Sequence, residues 1–133
     1  MGDFYQNGII TTLHNLSNRP LAEMEAELEQ FSRERPMGLI LPSLYSELEG
    51  DALPAILEEL RHAGYLSEIV IGLDRADESQ YREVLRFFGR LPQRHRVLWN
   101  EGPRLQALDK KLQDMDLAPK ELGKGRNVWY CMG

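Results

Sequence analysis

The sequence predicts an α/β protein built on a parallel sheet with crossover helices. Three observations carry this. Short apolar runs, MGLIL, LSEIVIGLD and HRVLWN, recur along the chain and are too short or too β-rich to be helices. Between and after them lie stretches with apolar residues at helical spacing. Each connection is long enough for a crossover helix, and the order β-α-β-α-β-α then requires parallel strands joined by right-handed crossovers.

The elements follow in order. In SNRPLAEMEAELEQFSRERP, Leu21, Met24, Leu28 and Phe31 form one apolar stripe, with Asn18 as the expected cap and Arg35-Pro36 as the stop. The other face carries Glu23, Glu25, Glu27 and Glu29, a pattern that suits a solvated face or, alternatively, a docking face for a partner. Residues 37–41 read as a buried strand. In GDALPAILEELRHAG, Leu53, Ile56, Leu57 and Leu60 line one helical face, Pro54 sits in the first turn and Gly64 supplies the stop. LSEIVIGLD is the second strand. Asp77 and Gln80 have capping-box spacing ahead of a helix on Tyr81, Val84, Leu85 and Phe88, ended by Gly89. HRVLWN is the third strand, and GPRLQALDKKLQDM a helix on Leu105, Leu108, Leu112 and Met115. Finally GKGRNVWYCM opens another helix, with Cys131 expected in the core near its start. Residues 1–36 are thus an N-terminal extension with an amphipathic helix, and 37–133 the sheet-forming part. This is half of a doubly wound, Rossmann-like fold.

Composition narrows the function. With 133 residues, 42% hydrophobic and 28% charged, the chain fits one domain with a real core. A net charge of −5 argues against a general nucleic-acid binder, which needs a surplus of Lys and Arg to neutralise phosphates. One cysteine allows neither an internal disulfide nor a cysteine-based zinc site, and a cytoplasmic setting follows. The start MGDFYQNGIITTLHNLS lacks a leader pattern, and Gln6 misses the myristoylation motif. No segment approaches the roughly 20 apolar residues of a membrane span. His14, His62 and His95 show no metal-ligand spacing and read as surface or packing residues.

In open parallel sheets, ligands bind beyond the carboxyl ends of the strands. That rule singles out residues 42–47, 74–77 and 100–103. The first of these loops, LPSLYSELEG, lacks the glycine fingerprint of a dinucleotide site. Pro42 fixes the chain where it leaves the strand, while Ser43, Tyr45, Ser46 and Glu47 offer groups that grip a base or ribose; the same residues also suit a plain capped turn. Asp74, ending the second strand, can accept the imino hydrogen of uracil or the hydrogens of guanine, or simply cap a turn. Arg75 beside it suits a phosphate or Asp74 itself. In GKGRN, Gly123 and Gly125 let backbone approach a ligand, and Lys124 presents a compact cation to a diphosphate at a helix N-terminus. Arg126 either adds charge there or is solvated. The pattern is not a Walker A loop, which needs Gly at Ala118 and Ser or Thr at Gly125.

Taken together, the strand running into Pro42-Ser43-Leu44-Tyr45-Ser46-Glu47, the strand ending Leu73-Asp74-Arg75-Ala76-Asp77, the strand ending Trp99-Asn100-Glu101-Gly102-Pro103, and Gly123-Lys124-Gly125-Arg126-Asn127 resemble the N-terminal, nucleotide-binding half of GT-A glycosyltransferases. The likeness is strongest to family 2 enzymes and to the glucosyl-3-phosphoglycerate and mannosylglycerate synthase group. It covers Met37 to the end. In that group the first strand runs into P-A-L-N-E-E, so Tyr45 and Ser46 stand where Asn and Glu are usual, and Arg75-Ala76 replace the customary Ser-Gly.

The resemblance implies transfer of a hexose from a UDP- or GDP-sugar to a small acceptor such as a glycerate or phosphoglycerate. It implies nucleotide contacts at Pro42, Ser43, Leu44, Glu47, Asp74, Arg75, Gly123, Lys124 and Gly125. It also implies Mg²⁺ or Mn²⁺ held by a D-x-D strand beyond this chain. Asp114-Met115-Asp116 ends a helix and is not that motif. The expectation is therefore a donor-binding fragment, inactive alone. The alternative is a non-catalytic nucleotide-binding or protein-interaction domain, with a truncated sheet favouring a homodimer.

Overall fold

The computed structural model describes residues 18–133. His14 and the segment on which the leader and myristoylation readings rest lie outside those residues. Three strands, β1 (Met37–Leu44), β2 (Leu66–Asp74) and β3 (Arg94–Trp99), form one parallel sheet in the order β1-β2-β3. Five helices accompany them: α1 (Leu21–Glu34), α2 (Ala52–Leu60), α3 (Glu78–Phe88), α4 (Pro103–Asp114) and α5 (Lys124–Met132). A 3-10 turn, Tyr45–Glu49, follows β1.

The core forms where the alternating face of β2 meets α2 and α3. Successive strand side chains point to opposite faces, so Ile69, Ile71 and Leu73 lie on one side, all fully buried with Val84 and Phe88 of α3 and packed with Leu53 and Leu57 of α2. Burial of such side chains stabilises the fold by roughly 1.5–3 kcal/mol each. The opposite face of β2 receives α5. There Gly72 gives the helix its closest approach: a Cβ on Gly72 would stand 1.9 Å from Asn127 Oδ1 and 2.7 Å from Cys131 Sγ. Asn127, 3% exposed, donates from Nδ2 to the Gly72 carbonyl at 2.8 Å, so the buried amide is satisfied by the strand it covers.

The α3 start follows the capping-box prediction. Asp77 Oδ1 accepts from the Gln80 amide, and the Gln80 side chain accepts from the Asp77 amide, both at 2.9 Å. Other expectations are corrected. The cap of α1 is Pro20, whose carbonyl accepts from Glu23 at 3.1 Å, not Asn18. No residue of α1 is buried; Leu21 and Phe31 are exposed. Strand β1 continues to Leu44 rather than ending at residue 41, so Pro42 lies inside the strand, opposite Gly72. Strand β1 lies at the edge of the three-stranded sheet, where a proline is tolerated. Leu85 on α3 and Leu108 and Met115 on or beside α4 are exposed, and only Leu105 of the α4 stripe is buried. Cys131 falls in the last turn of α5, half-buried, rather than near its start.

Candidate functional site

The parallel register brings three distant segments to one end of the sheet. Leu44 pairs with Asp74, Ser43 with Leu73, and Leu73 with Trp99, so the carboxyl ends of all three strands finish side by side. Helix α5 arrives over β1 and β2 with its N-terminus at the same end, led by Gly123. Gly123 has φ +149°, a conformation that side-chain-bearing residues rarely adopt, so glycine is required at this entry.

A cleft of about 210 Å³ opens there. From the end of β1 it takes Pro42, Ser43 and Leu44, and from the 3-10 turn Glu47; Asp74 and Arg75 come from the end of β2, and Gly123, Lys124 and Asn127 from α5. Eight of the nine residues singled out in the sequence therefore share one cavity. The ninth, Gly125, does not reach it; it faces open space on the outer side of α5, where a Cβ would meet nothing within 4 Å.

Each wall has its own chemistry. The Ser43 hydroxyl is buried with no hydrogen-bond partner among the described residues. Glu47 commits one carboxylate oxygen to the Leu44 amide at 2.9 Å, leaving the other available. Lys124 is exposed, and neither it nor Arg75 forms an ion pair among the described residues. Amide groups at the first turn of α5 lack intrahelical partners and carry partial positive charge. The cleft thus combines carboxylate acceptors at the ends of β1 and β2 with two cations, Arg75 after β2 and Lys124 on α5, and with the helix amides of α5.

Next to it lies a hollow of about 50 Å³ that shares Asp74 and Gly123. Its floor is a tie between α4 and α5. Arg126 Nη2 lies 2.5 Å from Asp109 Oδ2, the side chains being only 15% and 16% exposed, and the Tyr130 hydroxyl donates to Asp109 Oδ1. Burial alone would raise the Asp109 carboxyl, but hydrogen bonds from Tyr130, Arg126 and Gln113 together with the Arg126 charge outweigh it and hold the group below its ordinary value. Arg126 is therefore neither solvated nor pointed freely at a ligand.

Sequence reasoning placed Glu101 and Asn127 in a strand-end loop and a helix start without giving either a role, and it missed the Asp109 tie. Asn127 carried a signal: a polar residue four before Cys131 and three before Tyr130 sits on the inner face of α5. Glu101 and Asp109 did not, because their partners are backbone groups and side chains far along the chain.

Among proteins of known activity, the chain is 47% identical over 133 residues to a glucosyl-3-phosphoglycerate synthase of Persephonella marina, covering all of this chain and 33% of that one. It is 36% identical over 133 residues to the same-named enzyme of Methanococcoides burtonii, covering 98% of this chain and 32% of the relative. Over its whole length this chain is similar to one third of a glucosyl-3-phosphoglycerate synthase. The glycosyltransferase resemblance read from the strand-end loops is borne out. The chain spans about a third of the length of the glucosyl-3-phosphoglycerate synthases it matches. No protein-family model matches it, and no solved structure does.

Proposed function

We propose that this chain is the donor-binding part of a glycosyltransferase that moves a hexose from a nucleoside-diphosphate sugar to a small acceptor such as phosphoglycerate. The observation that carries the reading is the convergence of Ser43, Glu47, Asp74 and Lys124, from three separate segments, on one cleft at the strand ends. Carboxylates at Asp74 and Glu47 accept the ring N–H groups of uracil or guanine, and the unpartnered Ser43 hydroxyl serves base or ribose. Lys124 and the first amides of α5 meet the diphosphate and stabilise its charge as the sugar departs, which is electrostatic catalysis by preorganised groups.

The names of the relatives support glucose as the sugar and 3-phosphoglycerate as the acceptor. Among the described residues, no group of three or more His, Cys, Asp or Glu side chains is disposed to hold a metal ion. In this reading a Mg²⁺ or Mn²⁺ ion has its ligands elsewhere in a longer enzyme. No helix among the described residues is long and apolar enough to cross a membrane.

A second reading, a non-catalytic module that self-associates, draws on Leu122 and Met132, which are 80% and 67% exposed. Calorimetric titration separates the two. The donor-site reading expects UDP-glucose or GDP-glucose to bind, with Lys124→Ala weakening either by about tenfold, the loss of a charge-assisted contact. Binding of neither, together with concentration-dependent dimerisation, supports the second reading instead.

A further inference from the structure

We infer that Glu101 is a positioning residue for this cleft: its carboxylate holds the turn after β2 so that Asp74 and Arg75 face the nucleotide. The inference rests on the donor-site reading above. Arg75 has φ +56°, in the left-handed region that a residue with a Cβ enters at a cost. In that geometry successive backbone N–H groups converge and form a small concavity suited to an anion. The anion present is internal. Glu101 Oε1 accepts from the Arg75 amide at 2.9 Å and Oε2 from the Ala76 amide at 3.2 Å, across a separation of 26 and 25 residues.

The same connection grips the turn at two further points. Trp99 Nε1 donates to the Ala76 carbonyl at 2.7 Å, and the Asn100 amide donates to the Leu73 carbonyl at 2.9 Å. Gly102 packs so closely under Trp99 that an added Cβ would come within 2.8 Å of its ring, so the segment carrying Glu101 has little room to shift. A rigid acceptor of this kind sets the backbone beside Asp74 before the ligand arrives, which lowers the ordering cost of binding. It also occupies the amides that a phosphate would otherwise take, and its charge beside Asp74 leaves α5 as the end of the cleft that receives the diphosphate.

The test compares the wild-type chain with Glu101→Ala and Glu101→Gln, titrating each with UDP, GDP and inorganic pyrophosphate and following amide exchange at Arg75 and Ala76. Glu101→Ala is expected to speed exchange at both amides and to weaken the nucleotide that wild type binds by about tenfold. Pyrophosphate, which draws on Lys124 and the α5 amides, is expected to bind no more weakly, because the substitution removes a negative charge and frees the Arg75 and Ala76 amides. Glu101→Gln keeps one carbonyl acceptor and restores part of the nucleotide affinity, which also guards against a simple folding defect in the alanine variant. Nucleotide affinity unchanged in Glu101→Ala, or pyrophosphate weakened by the same factor, overturns the positioning role while leaving the donor site standing. Failure of wild type to bind UDP or GDP overturns the donor site and this inference together.

Discussion

Gly72 decides how closely α5 can approach the sheet. A methyl group there collides with Asn127 and Cys131, so Gly72→Ala is expected to destabilise the fold by about 1–3 kcal/mol, read as a lower urea midpoint. Asn127→Ala removes the donor to the Gly72 carbonyl and costs about 1–3 kcal/mol, because a buried acceptor loses its partner. The two glycines of the Gly-Lys-Gly loop separate cleanly. Gly123→Ala is strained at φ +149°, whereas Gly125→Ala sits in open space inside a helix and is expected to stabilise by about 0.5–1 kcal/mol without altering nucleotide affinity. Nothing in the sequence distinguishes them, since the backbone angle of Gly123 depends on how α5 docks. The placement of Asp74 and Lys124 at the cleft was legible because strand ends and helix starts are marked locally by residue type. The loop that holds Glu101 was legible by the same rule, but its role was not, because its partners are two amide groups of a distant turn.

At the scale of elements, the extent of β2 and the starts of α3 and α5 follow their sequence patterns: an apolar β-rich run, a capping box and a glycine-led start are short-range signals. Strand β1 runs past its predicted end because pairing with β2 outweighs the local tendency of Pro42 to break it. The α4 pattern misleads for the opposite reason, since Leu108 is exposed among the described residues and the helix is held by polar contacts instead. Those contacts make a prediction. Asp109 has a lowered folded pKa, so its contribution to stability is complete above the ordinary carboxylate value near 4 and is lost as pH falls through the lower folded value. Acid titration of the unfolding midpoint should therefore show a loss of stability below about pH 4, and that part of the loss should be absent in Asp109→Asn. The end of α4 offers a second test. Leu117 donates to the Leu112 carbonyl at 2.9 Å and Asp116 to that of Gln113 at 3.0 Å, with Asp116 at φ +56°. This is a Schellman turn in which glycine is the usual residue, and Asp116→Gly is expected to raise stability by about 0.5–1 kcal/mol, measured by chemical denaturation.

For the whole molecule, the parallel three-stranded sheet puts every candidate contact at one end and leaves the other end to tight turns such as Ala63–Leu66. That polarity was legible from the order of elements alone, since parallel strands joined by crossovers must all finish at the same edge. The proposed donor-site reading fits the walls of the cleft, with acceptors toward β1 and β2 and the cations Arg75 and Lys124 beside them. The most direct test is an amide-resolved NMR titration of the chain with UDP and, separately, GDP. The donor-site account predicts saturable shifts at Ser43, Leu44, Asp74, Arg75, Lys124 and Gly125, with α1 little affected. Shifts confined to other surfaces, or none with either nucleotide, would contradict it.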